Sequence, residues 1–188
     1  MFCQFLRSPG RTGSICPSSR FLAHTLVDAA LADAPVQGLI IDLGSGTGAV
    51  SQELLGQGIA PGRILAVDVS ASFAAVFRQR CPGIELRIDD AKNLTQIIAE
   101  HTRSYPLQAI ISSLPLRSLP RESVSRIMPA IWRTLHDNGG ALIQYTYAVW
   151  MHSALERYGF TIVARYYAPL NLPPALVEKY LPGQEAAS

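Results

Sequence analysis

Short apolar runs alternate with stretches of helical character along most of this chain. The first run, residues 38–43, reads Gly-Leu-Ile-Ile-Asp-Leu and leads into a glycine-rich turn. An apolar run of this length is typical of a strand that is buried on both faces of a parallel sheet. The sequence predicts further strands at residues 63–67, 84–88, 107–112, 141–147 and 160–166. It predicts helices at residues 20–32, 50–55, 70–80, 94–101, 120–135 and 150–158. Strand and helix alternate five times, which predicts an α/β fold with a mostly parallel sheet.

Length and composition are those of one domain with a short accessory arm. The 188 residues are 48% apolar and 16% charged, enough to bury a sizeable core. No run approaches the ~18 uncharged apolar residues that a membrane-spanning helix needs. Residues 1–19 are rich in Gly, Pro, Ser and Arg and are predicted to form an irregular N-terminal arm, while residues 20–188 form the domain. Within it, residues 169–180 are expected to supply a last short strand or a lid.

The net charge of +2 is too small to indicate nucleic-acid binding, and no nucleic-acid partner is expected. The charge is unevenly distributed, because residues 1–27 contain Arg7, Arg11 and Arg20 and no acid. This basic arm is either a solvated surface or a contact for phosphate groups. The three cysteines are scattered and fit neither a disulfide framework nor a metal cluster, which favours a cytoplasmic location and predicts no metal site.

The strongest motif is the segment Asp42–Gly48, which follows the first predicted strand directly. Its glycines, Gly44, Gly46 and Gly48, allow a tight turn and a close approach of the backbone to a ligand. The spacing is G-x-G-x-G without the Gly-Lys-Ser/Thr of a nucleoside-triphosphate loop, which disfavours a kinase or an ATPase. A purely structural turn is the alternative interpretation.

Two further acids follow the next two predicted strands. Asp68 comes twenty residues after Gly48, where a carboxylate accepts hydrogen bonds from two ribose hydroxyls. Asp90 follows the third strand, where a carboxylate can meet an adenine amino group. Each acid alone could cap a loop. Acids in this order at the carboxyl ends of neighbouring strands indicate a ligand that contains adenosine.

This combination resembles the class I S-adenosylmethionine-dependent methyltransferases, which have a Rossmann-like, mostly parallel seven-stranded sheet with helices on both faces. In that family the acid that opens the glycine loop lies near the methionine end of the cofactor, and Asp42 matches it. Asp68 matches the ribose acid, and Asp90 matches the acid on the adenine side. The resemblance therefore implies an enzyme with S-adenosylmethionine as its cofactor. It also implies cofactor contacts at Gly44, Ser45, Gly46, Gly48, Val69, Ala91 and Ser112.

Four segments are similar to the bacterial phospholipid N-methyltransferases, which methylate phosphatidylethanolamine stepwise. They are residues 13–19, 112–120, 143–147 and 170–175. This resemblance implies substrate contacts at Ser113, Leu114, Pro115 and Tyr145, with Tyr147 as the catalytic residue. The Tyr147 ring could receive a methylated ammonium through a cation–π contact. The resemblance also implies a phospholipid substrate, with peripheral contact of the basic arm at the inner face of the membrane.

The chain departs from that family at a few positions, which keep other functions open. Ser45 stands where proline is usual, and Asp89 and Ser113 stand where glycine is usual. These departures are the reason to consider a non-catalytic S-adenosylmethionine-binding module. Within enzymes, the alternatives are an RNA adenine methyltransferase, which the weak charge disfavours, and a small-molecule amine methyltransferase, which the short N-terminal arm favours.

Overall fold

The computed structural model describes residues 17–32, 37–99, 101, 104–147, 155–171 and 173–183. Its strands are β1 (Leu39–Leu43), β2 (Ile64–Asp68), β3 (Glu85–Ile88), β4 (Leu107–Ser112), β5 (Ala141–Thr146), β6 (Phe160–Ala168) and β7 (Ala175–Pro182). Its α-helices are α1 (Pro17–Leu31), α2 (Ala49–Gly56), α3 (Ala74–Arg80), α4 (Leu94–Ile98) and α5 (Arg121–Asn138). The predicted basic arm as far as residue 16 lies outside the described residues, as do residues 150–154 of the helix predicted at 150–158.

The strands form one sheet in the order β3-β2-β1-β4-β5-β7-β6. β1 lies near its centre and pairs in parallel with β2 and β4, and β3 and β5 continue this parallel arrangement outward. β7 lies between β5 and β6 and pairs antiparallel with both. The expected mostly parallel, seven-stranded, Rossmann-like sheet is therefore confirmed.

Helices cover both faces of the sheet and create two cores. All five residues of β1 are buried, and their side chains alternate between the faces. Ile40 packs in the core that includes α1 and α2, whereas Ile41 packs in the core that includes α4 and α5. A strand between two cores has to be apolar on both faces, which explains the unbroken apolar run in the sequence. In the described ranges, no helix combines the length and the apolar character that crossing a membrane requires.

Several elements begin or end away from their predicted positions. α1 begins at Pro17, three residues early, because a proline in the first helical turn lacks only an N–H that would have no partner inside the helix. The helix predicted at residues 70–80 is a 3-10 turn, Ala71–Phe73, followed by α3. Residues 156–158 form a 3-10 helix. The segment expected to be a strand or a lid supplies the eight-residue strand β7.

An exposed histidine links α1 to α2. His24 Nδ1 lies 2.7 Å from Glu53 Oε1, and His24 Nε2 lies 3.2 Å from Asp28 Oδ2. The hydrogen bond with Glu53, reinforced by the charge of Asp28, raises the pKa of His24 above its ordinary value of 6.5. The contact between the two helices is therefore strongest while His24 is protonated.

The protein is expected to lose stability as the pH rises through the pKa of His24. Because this pKa is higher in the folded state, the contribution is complete below the unfolded-state value and is lost above the folded-state value. Urea unfolding at about pH 5.5 and about pH 8.5 should show this loss in the wild type and a smaller loss in His24→Gln. Glu53→Gln should reduce the loss in the same way. A pH dependence that neither substitution changes would contradict the assignment.

Candidate active site

A glycine loop joins β1 to α2 at the carboxyl edge of the parallel strands. Gly44, Gly46 and Gly48 have φ values of 77°, 52° and 88°, which side chains with a Cβ rarely adopt. Two of them are also closely packed. A Cβ on Gly44 would lie 2.9 Å from Leu114 Cδ2, and one on Gly48 would lie 2.6 Å from Cys81 Sγ. Around Gly46, no described atom lies within 4 Å of such a Cβ, so a ligand can approach the backbone there.

Hydrogen bonds attach this loop to the end of β2. The first two N–H groups of the loop donate to the Val67 carbonyl oxygen at 2.8 and 3.2 Å. The Gly46 N–H donates to Asp68 Oδ2 at 2.7 Å, and the Ser70 N–H donates to Asp68 Oδ1 at 2.8 Å. Each of these carboxylate oxygens keeps a second lone pair. The structure thus brings the predicted loop and the predicted ribose acid together, and it leaves Asp68 able to accept hydroxyl groups of a ligand.

Asp42 lies at the base of the loop with its side chain completely buried. Its Oδ2 accepts from the Ser51 hydroxyl at 2.6 Å and from the Ser51 N–H at 3.1 Å. Burial raises the pKa of Asp42 from 3.8 to about 6, although the hydrogen bonds from Ser51 oppose the rise. Asp42 Oδ1 and the hydroxyl of Ser45 are buried and have no hydrogen-bond partner among the described residues. Because buried acceptors need donors, Asp42 Oδ1 suits an ammonium or N–H group of a ligand.

The third predicted acid, Asp90, caps the turn after β3. Its Oδ1 accepts from the Lys92 N–H at 3.0 Å, and its Oδ2 lies 3.3 Å from Lys92 Nζ. The neighbouring Asp89 accepts from the Asn93 side chain at 2.8 Å and donates its N–H to the Asp68 carbonyl at 3.0 Å. Asp90 therefore lies close to the predicted ribose acid and remains partly exposed. Its contact with an adenine stays a prediction.

Apolar side chains accompany these carboxylates. Val69, directly after Asp68, is 73% exposed, and Ile88, at the end of β3, is 40% exposed. Ala91 is buried in the turn beyond them. Exposed apolar side chains next to carboxylates suit a flat base whose faces are apolar and whose edge is polar. Ile88 was missing from the predicted contacts, although an isoleucine that ends a strand immediately before two acids is a signal for it.

The carbonyl of Ser113, the first residue after β4, accepts no hydrogen bond from the described residues. The Ser113 N–H donates to the Leu43 carbonyl at 2.8 Å, which holds the segment beside the end of β1. The Leu114 carbonyl accepts two hydrogen bonds, at 2.9 and 3.1 Å, and the Pro115 carbonyl accepts two, at 2.8 and 3.2 Å. None of the described residues donates to the Ser113 carbonyl. Of the first three carbonyls after β4, those of Ser113, Leu114 and Pro115, it is the one that these hydrogen bonds leave for an incoming N–H.

Gln144, on the neighbouring strand β5, holds the segment in this conformation. Its Nε2 donates to the carbonyls of Leu114 and Tyr145, both at 3.1 Å. Ser112, buried at the end of β4, accepts from the Leu114 N–H at 3.4 Å. The two polar side chains therefore hold both sides of Leu114, and a cofactor contact for Ser112 stays a prediction. Gln144 was not among the predicted site residues, and its signal is an amide at the end of an otherwise apolar run.

The two tyrosines predicted for the substrate site lie together at the end of β5. Their ring centroids are 5.3 Å apart with an interplanar angle of 70°. Tyr145 is half-buried, and burial raises its pKa to about 12, so its phenol stays protonated at physiological pH. Tyr147 is 41% exposed and presents its ring and hydroxyl to solvent. These properties make Tyr147 the tyrosine that a substrate can reach.

In the part of the chain that the structure describes, no group of three or more His, Cys, Asp or Glu is arranged to hold a metal ion. Cys81 packs below the glycine loop, where its Sγ lies 3.6 Å from the Gly48 carbonyl. Burial raises the pKa of this thiol to about 11. Cys81 is therefore a neutral packing residue.

Comparison with known proteins agrees with this geometry. A family model described as a methyltransferase domain matches residues 40–139. The match begins in β1 and ends just before β5, so it includes the glycine loop, the three acids and the segment after β4. No curated protein matches the chain.

Solved structures share the fold at low sequence identity. A TehB-like SAM-dependent methyltransferase from Corynebacterium glutamicum is 19% identical over 96% of both chains, with a TM-score of 0.63. The 1,6-didemethyltoxoflavin-N1-methyltransferase of Burkholderia thailandensis, with bound S-adenosylhomocysteine, is 15% identical over 88% of this chain and 79% of its own, with a TM-score of 0.60. The glycopeptide N-methyltransferase MtfA, with bound sinefungin, is 15% identical over 93% and 99%, with a TM-score of 0.60. At these identities the similarity is one of fold.

Replacing Asp42 by asparagine is expected to stabilise the ligand-free protein at neutral pH. Because the pKa of Asp42 is raised on folding, its ionisation opposes folding above about pH 6 and has no effect below both pKa values. A rise from 3.8 to about 6 corresponds to about 3 kcal/mol. Urea unfolding at about pH 7.5 should show Asp42→Asn to be more stable by up to this amount, and the difference should shrink at about pH 4.5. A difference that does not depend on pH would contradict this.

Proposed function

Because the chain belongs to the methyltransferase domain family, we propose that it is an N-methyltransferase acting on the amine of phosphatidylethanolamine or of its methylated derivatives. Its methyl donor is S-adenosylmethionine. The observation that carries the proposal is the Ser113 carbonyl, which accepts no hydrogen bond from the described residues and lies beside the end of β1. A carbonyl in this position, with the Tyr147 ring at the end of the adjacent β5, suits an acceptor that is first an amine and then a cation.

Three features of the described residues fit the cofactor. The backbone at Gly46 is open to a ligand, and Asp68 keeps lone pairs for two ribose hydroxyls. Asp42 Oδ1, buried and without a described partner, suits the ammonium group at the methionine end. When bound, the cofactor supplies a methyl group attached to a positively charged sulfur. The protein then has to bring the acceptor nitrogen into line with that methyl group and exclude competing geometries.

The acceptor nitrogen must be neutral, because its lone pair forms the new bond. The Ser113 carbonyl accepts an N–H of the unmethylated or monomethylated amine and thereby orients the nitrogen. An ethanolamine ammonium has a pKa of about 10, so a proton must leave before transfer. Tyr145 does not take this proton, since its own phenol is still protonated at that pH. In this proposal the proton passes to water at the carboxyl ends of the parallel strands.

Tyr147 acts on the charged product. Each transfer converts the nitrogen into a methylated ammonium, and the face of an aromatic ring stabilises such a cation by about 0.5–2 kcal/mol. The contact between Tyr145 and Tyr147 fixes the orientation of the exposed ring. The Tyr147 hydroxyl is also free to orient the amine before transfer.

Nitrogen as the acceptor atom is supported by two structural neighbours, whose names describe a toxoflavin-precursor N1-methyltransferase and a glycopeptide N-methyltransferase. Phosphatidylethanolamine rests on the sequence resemblance. One segment of that resemblance forms the connection from β6 to β7. There Asn171 is buried, and its Nδ2 donates to the Pro173 carbonyl at 2.8 Å. Because β6 runs parallel to β5, this connection lies at the same edge of the sheet as Ser113 and Tyr147.

Asp68→Asn should weaken binding of S-adenosylhomocysteine about 10- to 100-fold. The substitution removes a charge that hydroxyl groups would contact, and it places an amide donor where the Gly46 N–H now donates. Calorimetric titration measures the change. Glu122→Gln, which alters an exposed acid on α5, is the matched control and should bind like the wild type. Equal affinity in Asp68→Asn and the control would contradict the cofactor assignment.

Transfer of tritiated methyl groups from S-adenosylmethionine to vesicles that contain phosphatidylethanolamine tests the acceptor. Tyr147→Ala should lower kcat/KM for the monomethylated and dimethylated lipids about 2- to 30-fold, and Tyr147→Phe should retain most of the ring's contribution. Label in a soluble amine and none in lipid would replace the lipid by a small-molecule acceptor. Label in no amine, despite cofactor binding, would overturn the N-methyltransferase.

A further inference from the structure

A row of polar side chains crosses β4, β5, β7 and β6, which we call the acceptor half of the sheet. The register places Ser112 of β4 beside Gln144 of β5. Gln144 lies beside Glu178 of β7, which in turn lies beside Arg165 of β6. The same row begins at Leu43, the last residue of β1, which is the partner of Ser112. Arg165 therefore lies at the level where β1 and β4 end and where the glycine loop and the segment after β4 begin.

Glu178 is a buried carboxylate with a dedicated set of donors. Its side chain is 4% exposed, and it lies between Gln144 and Arg165 in this row. Arg165 Nε donates to its Oε1 at 3.0 Å, and the Tyr180 hydroxyl donates to its Oε2 at 2.5 Å. An ion pair whose carboxylate is buried and whose guanidinium is half-exposed contributes little to stability, because the cost of burying the carboxylate offsets the attraction. The stability of the fold is therefore a poor explanation for the pair.

The guanidinium of Arg165 has N–H donors that no described residue accepts from. Half of its side-chain surface is exposed, although Nε is bound to the buried carboxylate. No described residue accepts from its two Nη groups. Anchoring through Nε fixes the plane of the guanidinium and leaves the four remaining N–H bonds in a fork. Such a fork matches two oxygens of a phosphate or a carboxylate.

We propose that Arg165 is the anion subsite of the acceptor pocket and binds a phosphate ester that is attached to the acceptor amine. This inference rests on the proposed function, because it assigns the second end of the same acceptor. Neighbouring strands are about 4.8 Å apart, so the Cα of Arg165 lies about 14 Å from that of Ser112, which precedes the Ser113 carbonyl and lies three strands away. The extended arginine side chain and a phosphoethanolamine group bridge this distance together. The buried Glu178 then serves to hold the guanidinium in place for the ligand.

Direct binding tests this without relying on methyl transfer. The protein is saturated with S-adenosylhomocysteine and titrated calorimetrically with inorganic phosphate, with phosphoethanolamine and with ethanolamine. Phosphate and phosphoethanolamine should bind to the wild type. Arg165→Gln should weaken both about 10- to 100-fold and leave ethanolamine unchanged.

Two further variants separate a lost ligand contact from a damaged fold. Arg165→Lys keeps a charge beside Glu178 and should keep the unfolding midpoint near that of the wild type, but it lacks the planar fork and should bind phosphoethanolamine more weakly. Arg87→Gln is the matched control. Arg87 lies on β3, at the other side of the sheet, is about as exposed as Arg165 and also donates Nε to a glutamate, Glu85, which is itself exposed. It should leave phosphate binding unchanged.

The outcomes are distinct. A wild type that binds no phosphate at tens of millimolar, or Arg165 variants that bind it like the wild type, would overturn the subsite even if amines are methylated. Phosphate binding that depends on Arg165, with no methyl transfer to any amine, would support the subsite and refute the proposed function. Soluble phosphoethanolamine and short-chain phosphatidylethanolamine, compared in the same titration, identify the source of the phosphate. The lipid should bind more tightly if it is the natural acceptor.

Discussion

The contact between Asp42 and Ser51 is the one on which the rest of the site depends. It joins the end of β1 to the first turn of α2, and thereby sets where the glycine loop can run. Burying a carboxylate away from water to make this contact costs free energy. An apolar residue would make a more stable protein but would present no acceptor beneath the loop. The sheet centre is thus less stable than it could be at the position where the proposed cofactor contact uses a carboxylate.

Much of the predicted cofactor site, at the ends of β1, β2 and β3, could be predicted because its sequence motifs are local. The glycine loop and the acids at Asp68 and Asp90 each follow a strand directly, so chain order alone places them at one edge of the sheet. Arg165 and Glu178 carried no comparable signal. They are thirteen residues apart and meet only because β6 and β7 pair in one particular register. Gln144 likewise acts on a segment thirty residues earlier. Contacts made across strands depend on register, which spacing does not reveal.

The two halves of the sheet also differ in what they share with other proteins. The family match ends at residue 139, immediately before β5. The strands that precede this point are parallel and carry the loop and acids for the cofactor. The strands that follow supply Gln144, the tyrosine pair and the Arg165–Glu178 pair, and two of them run antiparallel to their neighbours. The proposed function assigns the methyl donor to the part that the family model matches and the acceptor to the part beyond it, while the fold of both parts is shared with solved methyltransferase structures.

The position of β7 has a consequence for how the chain reaches its folded state. β6 precedes β7 in the chain but pairs only with β7. During synthesis, the ladder hydrogen bonds of β6 therefore cannot form until β7 has left the ribosome. β7 also pairs with β5, whose residues lie thirty or more positions earlier in the chain, and pairing over such a separation slows folding. Until then β5 has an unpaired edge, and an uncovered edge invites pairing with another chain. The pairing of β5 with β7 is therefore expected to form late, and the edge of β5 is open to pairing with other chains until then.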